Sequence, residues 1–162
     1  MSKALFSLFT LFFLMALSSC GGRDLTYTGA AYPASSQVTK VFQPTEVPKT
    51  CRVFAEVLAI LPANQSGKDI EQAVFAEAGQ RGADMVLIGQ SRQYDDDDDP
   101  QFLYYGPKRE YPFADQWRGW RFGYALWEKQ GDWLNIGYTE LGNSAAHYET
   151  PVVMQLAMLK CR

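Results

Sequence analysis

Residues 51–60, Cys51-Arg52-Val53-Phe54-Ala55-Glu56-Val57-Leu58-Ala59-Ile60, read as a strand buried on much of both faces. Val53, Ala55, Val57 and Ala59 alternate with Phe54, Glu56, Leu58 and Ile60, so an extended chain here turns apolar groups both ways. Pro48 introduces the run and Pro62 stops it, because proline cannot donate to a sheet ladder. Next, Ser66-Gly67-Lys68-Asp69 has the S-x-x-[DE] form of a capping box, which predicts a helix from about Asp69 to Arg81. Ile70, Ala73, Val74 and Ala78 recur at helical spacing and form one stripe to set against a sheet. Gly82 closes the helix, and Met85 to Gly89 is a short apolar run suited to a second buried strand.

Outward from this unit the signals weaken. Val38 to Phe42 is a short β-prone segment ended by Pro44. Residues 91–119 read as an irregular loop, acidic at Asp95–Asp99 and then rich in proline and aromatics. Trp120 to Lys129 and Trp133 to Leu141 read as two strands of a hairpin turning at Gln130-Gly131-Asp132. Val152 to Lys160 reads as a final strand, although its Leu and Met content also permits a helix. The expected fold is a single α+β domain over 38–162, a mixed sheet of about five to six strands with one helix packed on it.

The first twenty residues have the layout of an export signal. Lys3 supplies a basic start, and Ala4 to Leu17 is a mostly apolar stretch of 14 residues, too short to span a bilayer as a helix. Leu17-Ser18-Ser19-Cys20 resembles the lipobox of bacterial lipoproteins. That resemblance implies a signal peptide over 1–19, cleavage before Cys20, and acylation of the Cys20 thiol and the new N-terminus. Two or more acyl chains anchor firmly, at about 0.8 kcal/mol per buried CH₂. No Asp follows Cys20, which in this family favours the outer membrane, with the domain facing the periplasm. Residues 20–37, rich in Gly, Ala, Ser and Thr, read as the lipidated N-terminus and tether.

With Cys20 committed to lipid, Cys51 and Cys161 remain as an even pair in an oxidising compartment, most simply a disulfide. A redox switch is the alternative, but there is no C-x-x-C.

Ala78-Gly79-Gln80-Arg81-Gly82-Ala83-Asp84-Met85-Val86-Leu87-Ile88 resembles the helix-to-strand turn of the RcsF-type and YbjQ-like envelope lipoprotein domains. Tyr32-Pro33, Val41-Phe42 and Pro48-Lys49 followed by Ala55-Glu56-Val57 are similar to the opening of the same family. The resemblance covers about residues 30–90 and fades from 91 to 150. It implies a small α+β domain held by a disulfide on a lipid anchor. The extra cysteines of the RcsF branch are missing here, so its stress-sensing role does not carry over residue by residue.

Composition narrows the chemistry. The whole chain carries a net charge of −3, and residues 20–162 hold 14 basic against 18 acidic side chains, which excludes the basic face of a nucleic-acid binder. His147 is the only histidine, and there is no G-x-S-x-G turn or phosphate-binding glycine loop, so neither an enzyme nor a cofactor site is expected. Two alternatives stand beside this. Glu128 and Glu140, facing each other across the hairpin, could serve an envelope hydrolase as paired carboxylates. Asp95–Asp99 could bind Ca²⁺, although Pro100 and Gly106 stand where an EF-hand needs Gly and Glu.

The aromatic residues carry the functional expectation. Phe122, Tyr124, Trp127 and Trp133 fall in the expected strands and suit core and hairpin packing. Tyr104, Tyr105, Tyr111 and Trp117, on the Pro-rich loop, suit either a cover for the sheet or a partner-binding surface. The reading is a non-catalytic, lipid-anchored envelope protein acting as a binding or stress-sensing module. Its partners are the lipid bilayer through Cys20 and an envelope protein or cell-wall component.

Overall fold

A computed structural model of the chain describes residues 27–97 and 99–162. In chain order the first elements are β1 (Thr39–Val41), β2 (Cys51–Leu61), β3 (Gln65–Ser66), α1 (Gly67–Gln80) and β4 (Met85–Gln93). They are followed by β5 (Gln101–Gly106), β6 (Tyr111–Pro112), α2 (Phe113–Gln116) and α3 (Tyr124–Trp127). The last are β7 (Trp133–Leu134), β8 (His147–Tyr148) and β9 (Val152–Cys161).

β2 forms where the sequence places it, and β9 lies antiparallel beside it from Cys51↔Cys161 to Leu61↔Val152. The main sheet runs β1-β4-β9-β2-β5, with β6 on β2 and β7 on β4. Only β1 runs parallel to its neighbour, so the sheet is mixed and has seven strands, against the five to six expected. β3 and β8 form a separate short ribbon.

Both faces of the sheet are covered. On one, Ile70, Val74 and Ala78 of α1 pack on Val57, Val86, Leu156 and Met158. On the other, Phe113, Trp117 and Trp120 cover Val53, Leu87 and Leu159, while Trp127 covers Leu58, Ile60 and Val153. Such two-sided burial explains why β2 and β9 are apolar throughout, and why β9 is a strand despite helix-compatible Leu and Met. Wedged between β2 and β4, Val152 to Leu159 are all buried, each large apolar side chain contributing about 1.5–3 kcal/mol. The Ser66 capping box forms as expected, the Asp69 N–H donating to Ser66 Oγ (3.2 Å) and the Ser66 N–H to Asp69 Oδ2 (2.9 Å).

Three expectations are corrected. Residues 120–141 are not a hairpin: Gly123 has φ +61° and caps α3, and only Trp133–Leu134 is extended, paired with β4. A left-handed glycine breaks an extended run, and the aromatics gain more burial as a lid over the sheet than they would along a strand. Residues 91–119 are largely ordered rather than irregular, since β4 continues to Gln93 and β5, β6 and α2 follow. The described part of the tether, 27–37, is laid on the domain. The Ser35 N–H donates to Gly79 O (2.8 Å), Tyr27 packs tilted against Tyr104 at 4.8 Å, and Tyr32 packs edge-on against Phe54 at 5.1 Å.

Candidate functional site

The outer edge of β4 is covered in two pieces. β1 pairs with it as far as Leu87 and β7 resumes at Ser91, leaving Ile88, Gly89 and Gln90 without a cross-strand partner on that side. At the same place β4 bulges against β9, where Ile88↔Leu156 is followed by Ser91↔Met154. Bulges re-aim a strand and recur beside functional sites. Here the gap opens into a groove of about 350 Å³.

Aromatic rings wall the groove. Trp120 lies on Gly89 so closely that a Cβ at that position would stand 2.7 Å from the indole, which only glycine permits. Trp133 is 60% exposed, held by Arg92 at 5.1 Å from its ring and by Trp127 at 5.9 Å. Tyr138 is 52% exposed, packs tilted against Phe42 at 4.3 Å, and donates its hydroxyl to the Glu46 carboxylate. That hydroxyl first, then the Gln43 N–H, hold the Glu46 carboxyl below its ordinary range. Gln43, Gln90 and Asn135 add carboxamides, and no lining residue carries a charge.

Two buried polar side chains lie at the bulge, one on each face of the sheet. Ser91, only 2% exposed, lines the groove and has an Oγ with no hydrogen-bond partner among the described residues. Gln155 of β9, opposite the bulge and paired with Leu58 on the lid face, is equally buried and its Oε1 is likewise unpartnered. Such groups are rare in native proteins and costly.

The residues singled out from sequence have different fates. Cys20 lies outside the described residues. Cys51 and Cys161 form the disulfide, at the end of the β2–β9 pairing. Tyr104 packs against the core and donates to Glu77, while Arg81 Nε donates to its hydroxyl at 3.1 Å. Burial, then the hydrogen bond and charge of Glu77, push the Tyr104 phenol far up. Tyr111 is similarly half-buried, donating to Glu56 Oε1 at 2.7 Å. Trp117 stacks on Phe113 at 5.3 Å within the lid. Of the four loop aromatics only Tyr105 is exposed, beside a smaller hollow of about 140 Å³ that Tyr27 and Lys108 also line.

Comparison with family models, curated proteins and solved structures gives no match for this chain. The site therefore rests on its own geometry.

The carboxylate pairing is corrected, because the hairpin that would align it does not exist. Glu128 is exposed at the end of α3, and Glu140 accepts from the Gly137 N–H (2.9 Å) and Thr139 Oγ1 (2.6 Å) within its own turn. In the acidic run Asp97 accepts the Ala63 N–H at 2.9 Å, and Asp98 lies outside the described residues. His147 is exposed on the β3–β8 ribbon. Among the described residues, no three His, Cys, Asp or Glu side chains gather to hold a metal, and no helix is long and apolar enough to cross a membrane.

The groove residues were the ones sequence reading missed. Trp133 reads as hairpin packing, yet it stands exposed, and so does Tyr124; Phe42 entered only through the family resemblance, and Gln90 and Tyr138 carry no motif. The available signal was Gly89 in the middle of an apolar strand, since glycine there marks a bulge or a close approach.

Proposed function

We propose that the protein is a non-catalytic binding module of the bacterial envelope, held on the outer membrane through acylated Cys20 with its domain facing the periplasm. The anchor rests on the lipobox-like Leu17–Cys20 run, and the export reading agrees with a disulfide between Cys51 and Cys161. The RcsF-type and YbjQ-like resemblance supports the same setting. The observation that carries the binding role is the open groove on β4, with two exposed aromatics above unpaired sheet edge. A water-facing Trp and Tyr beside an unpaired stretch of sheet edge favours association, because binding removes apolar area from water and engages the free backbone edge.

A photocrosslinking residue at Tyr138 tests this in intact cells. The reading expects mass-shifted adducts from position 138 and none from Tyr124, which is 57% exposed but outside the groove. Equal labelling at both positions, or none at 138, contradicts it. The anchor is tested separately: Cys20→Ala should accumulate as an uncleaved or mislocalised precursor, and normal maturation would refute lipidation.

A further inference from the structure

We propose that the β4 groove takes a neutral saccharide about two rings long, stacked on the exposed face of Trp133; this rests on the groove being the binding site.

The lining selects against charge. It contains no Asp, Glu, Lys, Arg or His, and the charges that border it are already engaged, Glu46 by the Tyr138 hydroxyl and Arg92 by the Gly131 and Trp127 carbonyls. It offers instead the rings of Phe42, Trp120, Trp133 and Tyr138 together with the carboxamides of Gln43, Gln90 and Asn135. A pyranose has the matching chemistry: an apolar C–H face to lie on an indole, and a rim of hydroxyls that both donate and accept. Carboxamides do the same, each with an acceptor oxygen and two N–H donors.

The dimensions select against an extended peptide. The unpaired edge is three residues, Ile88 to Gln90, or roughly 10 Å at strand spacing. It is closed at one end by the tilted Phe42–Tyr138 ring pair and at the other by Leu134 on Ser91. A strand adding to this edge would have to run past both stops, whereas two linked sugar rings fit between them.

The test is a tryptophan-fluorescence titration of the full chain in sugar-free detergent with cellobiose, maltose and chitobiose, at low and high salt. At least one disaccharide should give a saturable change with a millimolar Kd that salt does not alter. Trp133→Ala and Gln90→Ala should each weaken it by about tenfold or more; Gln90→Ala, whose side chain is exposed, should leave the thermal midpoint in place, whereas Trp133→Ala lowers it slightly by losing its contacts with Trp127 and Arg92. No saturable change with any of the three overturns the proposal, as does binding that survives Trp133→Ala. Binding of an acetylated tripeptide amide in place of the sugars also overturns it, yet leaves the groove as the site. Only the loss of crosslinking at position 138 removes the groove reading itself.

Discussion

Removing the Cys51–Cys161 bridge by Cys51→Ala with Cys161→Ala should lower stability without changing the fold. The residues joined are 110 apart, and closing a loop of that length removes about 5 kcal/mol of chain entropy from the unfolded state. The folded state should change little, because β2 and β9 stay paired from Arg52↔Lys160 through Leu61↔Val152 after the bridge is gone. Two further holds act at the same end, the Lys160–Asp84 ion pair (2.7 Å) and the Cys161 N–H bond to Asp84 Oδ2 (3.0 Å). Removing a native bridge costs about 2–5 kcal/mol in practice, and urea slopes of about 1–3 kcal/mol/M convert that to a midpoint lower by about 0.7–5 M. The assay is urea unfolding by circular dichroism, with reductant added to the wild type as a second arm that should reproduce the shift. A midpoint change below about 0.5 M in both arms would refute the entropic reasoning. Collapse of the native spectrum would instead show that the bridge shapes the fold.

Tyr104 and Tyr105 should separate, although they are adjacent. Tyr104→Ala removes a core-packed ring and its bonds with Glu77 and Arg81, and should cost about 2 kcal/mol or more by thermal melting; Tyr105→Ala, 43% exposed, should cost under about 0.5 kcal/mol. Asp84 sets an acid limit. Burial alone would raise its carboxyl, but the hydrogen bonds from Lys160 and the Cys161 N–H, with the Lys160 charge, outweigh that and hold it low. A depressed carboxyl contributes stability above its unfolded pKa and loses it as pH falls through the folded one. Melting midpoints should therefore drop below about pH 4, and Asp84→Asn should flatten part of that drop, by no more than about 1 kcal/mol for a pair this exposed.

The parts of this fold written locally were legible, and the parts fixed by distant contacts were not. The apolar run of β2, the Ser66–Asp69 capping box and Gly82 after α1 each carry their cause within a few residues, so strand, helix and turn followed from them. The α+β class followed in turn, and the disulfide followed from cysteine number together with the expectation of export. The lid at 113–127 was misread because Trp120, Phe122 and Tyr124 alternate like a strand, while Gly123 and the area waiting on β2 and β9 decide otherwise. The groove left only one local sign, Gly89, since it exists because β1 stops at Val41 and β7 starts at Trp133 along a strand remote from both in sequence. Tyr104 shows the same limit, as its partner Glu77 lies 27 residues away.

The most direct measurement of the groove as the working site is a two-dimensional NMR spectrum of labelled protein, taken with and without a soluble extract of the bacterial envelope. The account predicts that the indole N–H signals of Trp120 and Trp133 and the amides of Gly89 and Gln90 shift together, while those of Tyr105 and Lys108 stay in place. Shifts confined to Tyr105–Lys108, with the groove signals unmoved, would contradict it.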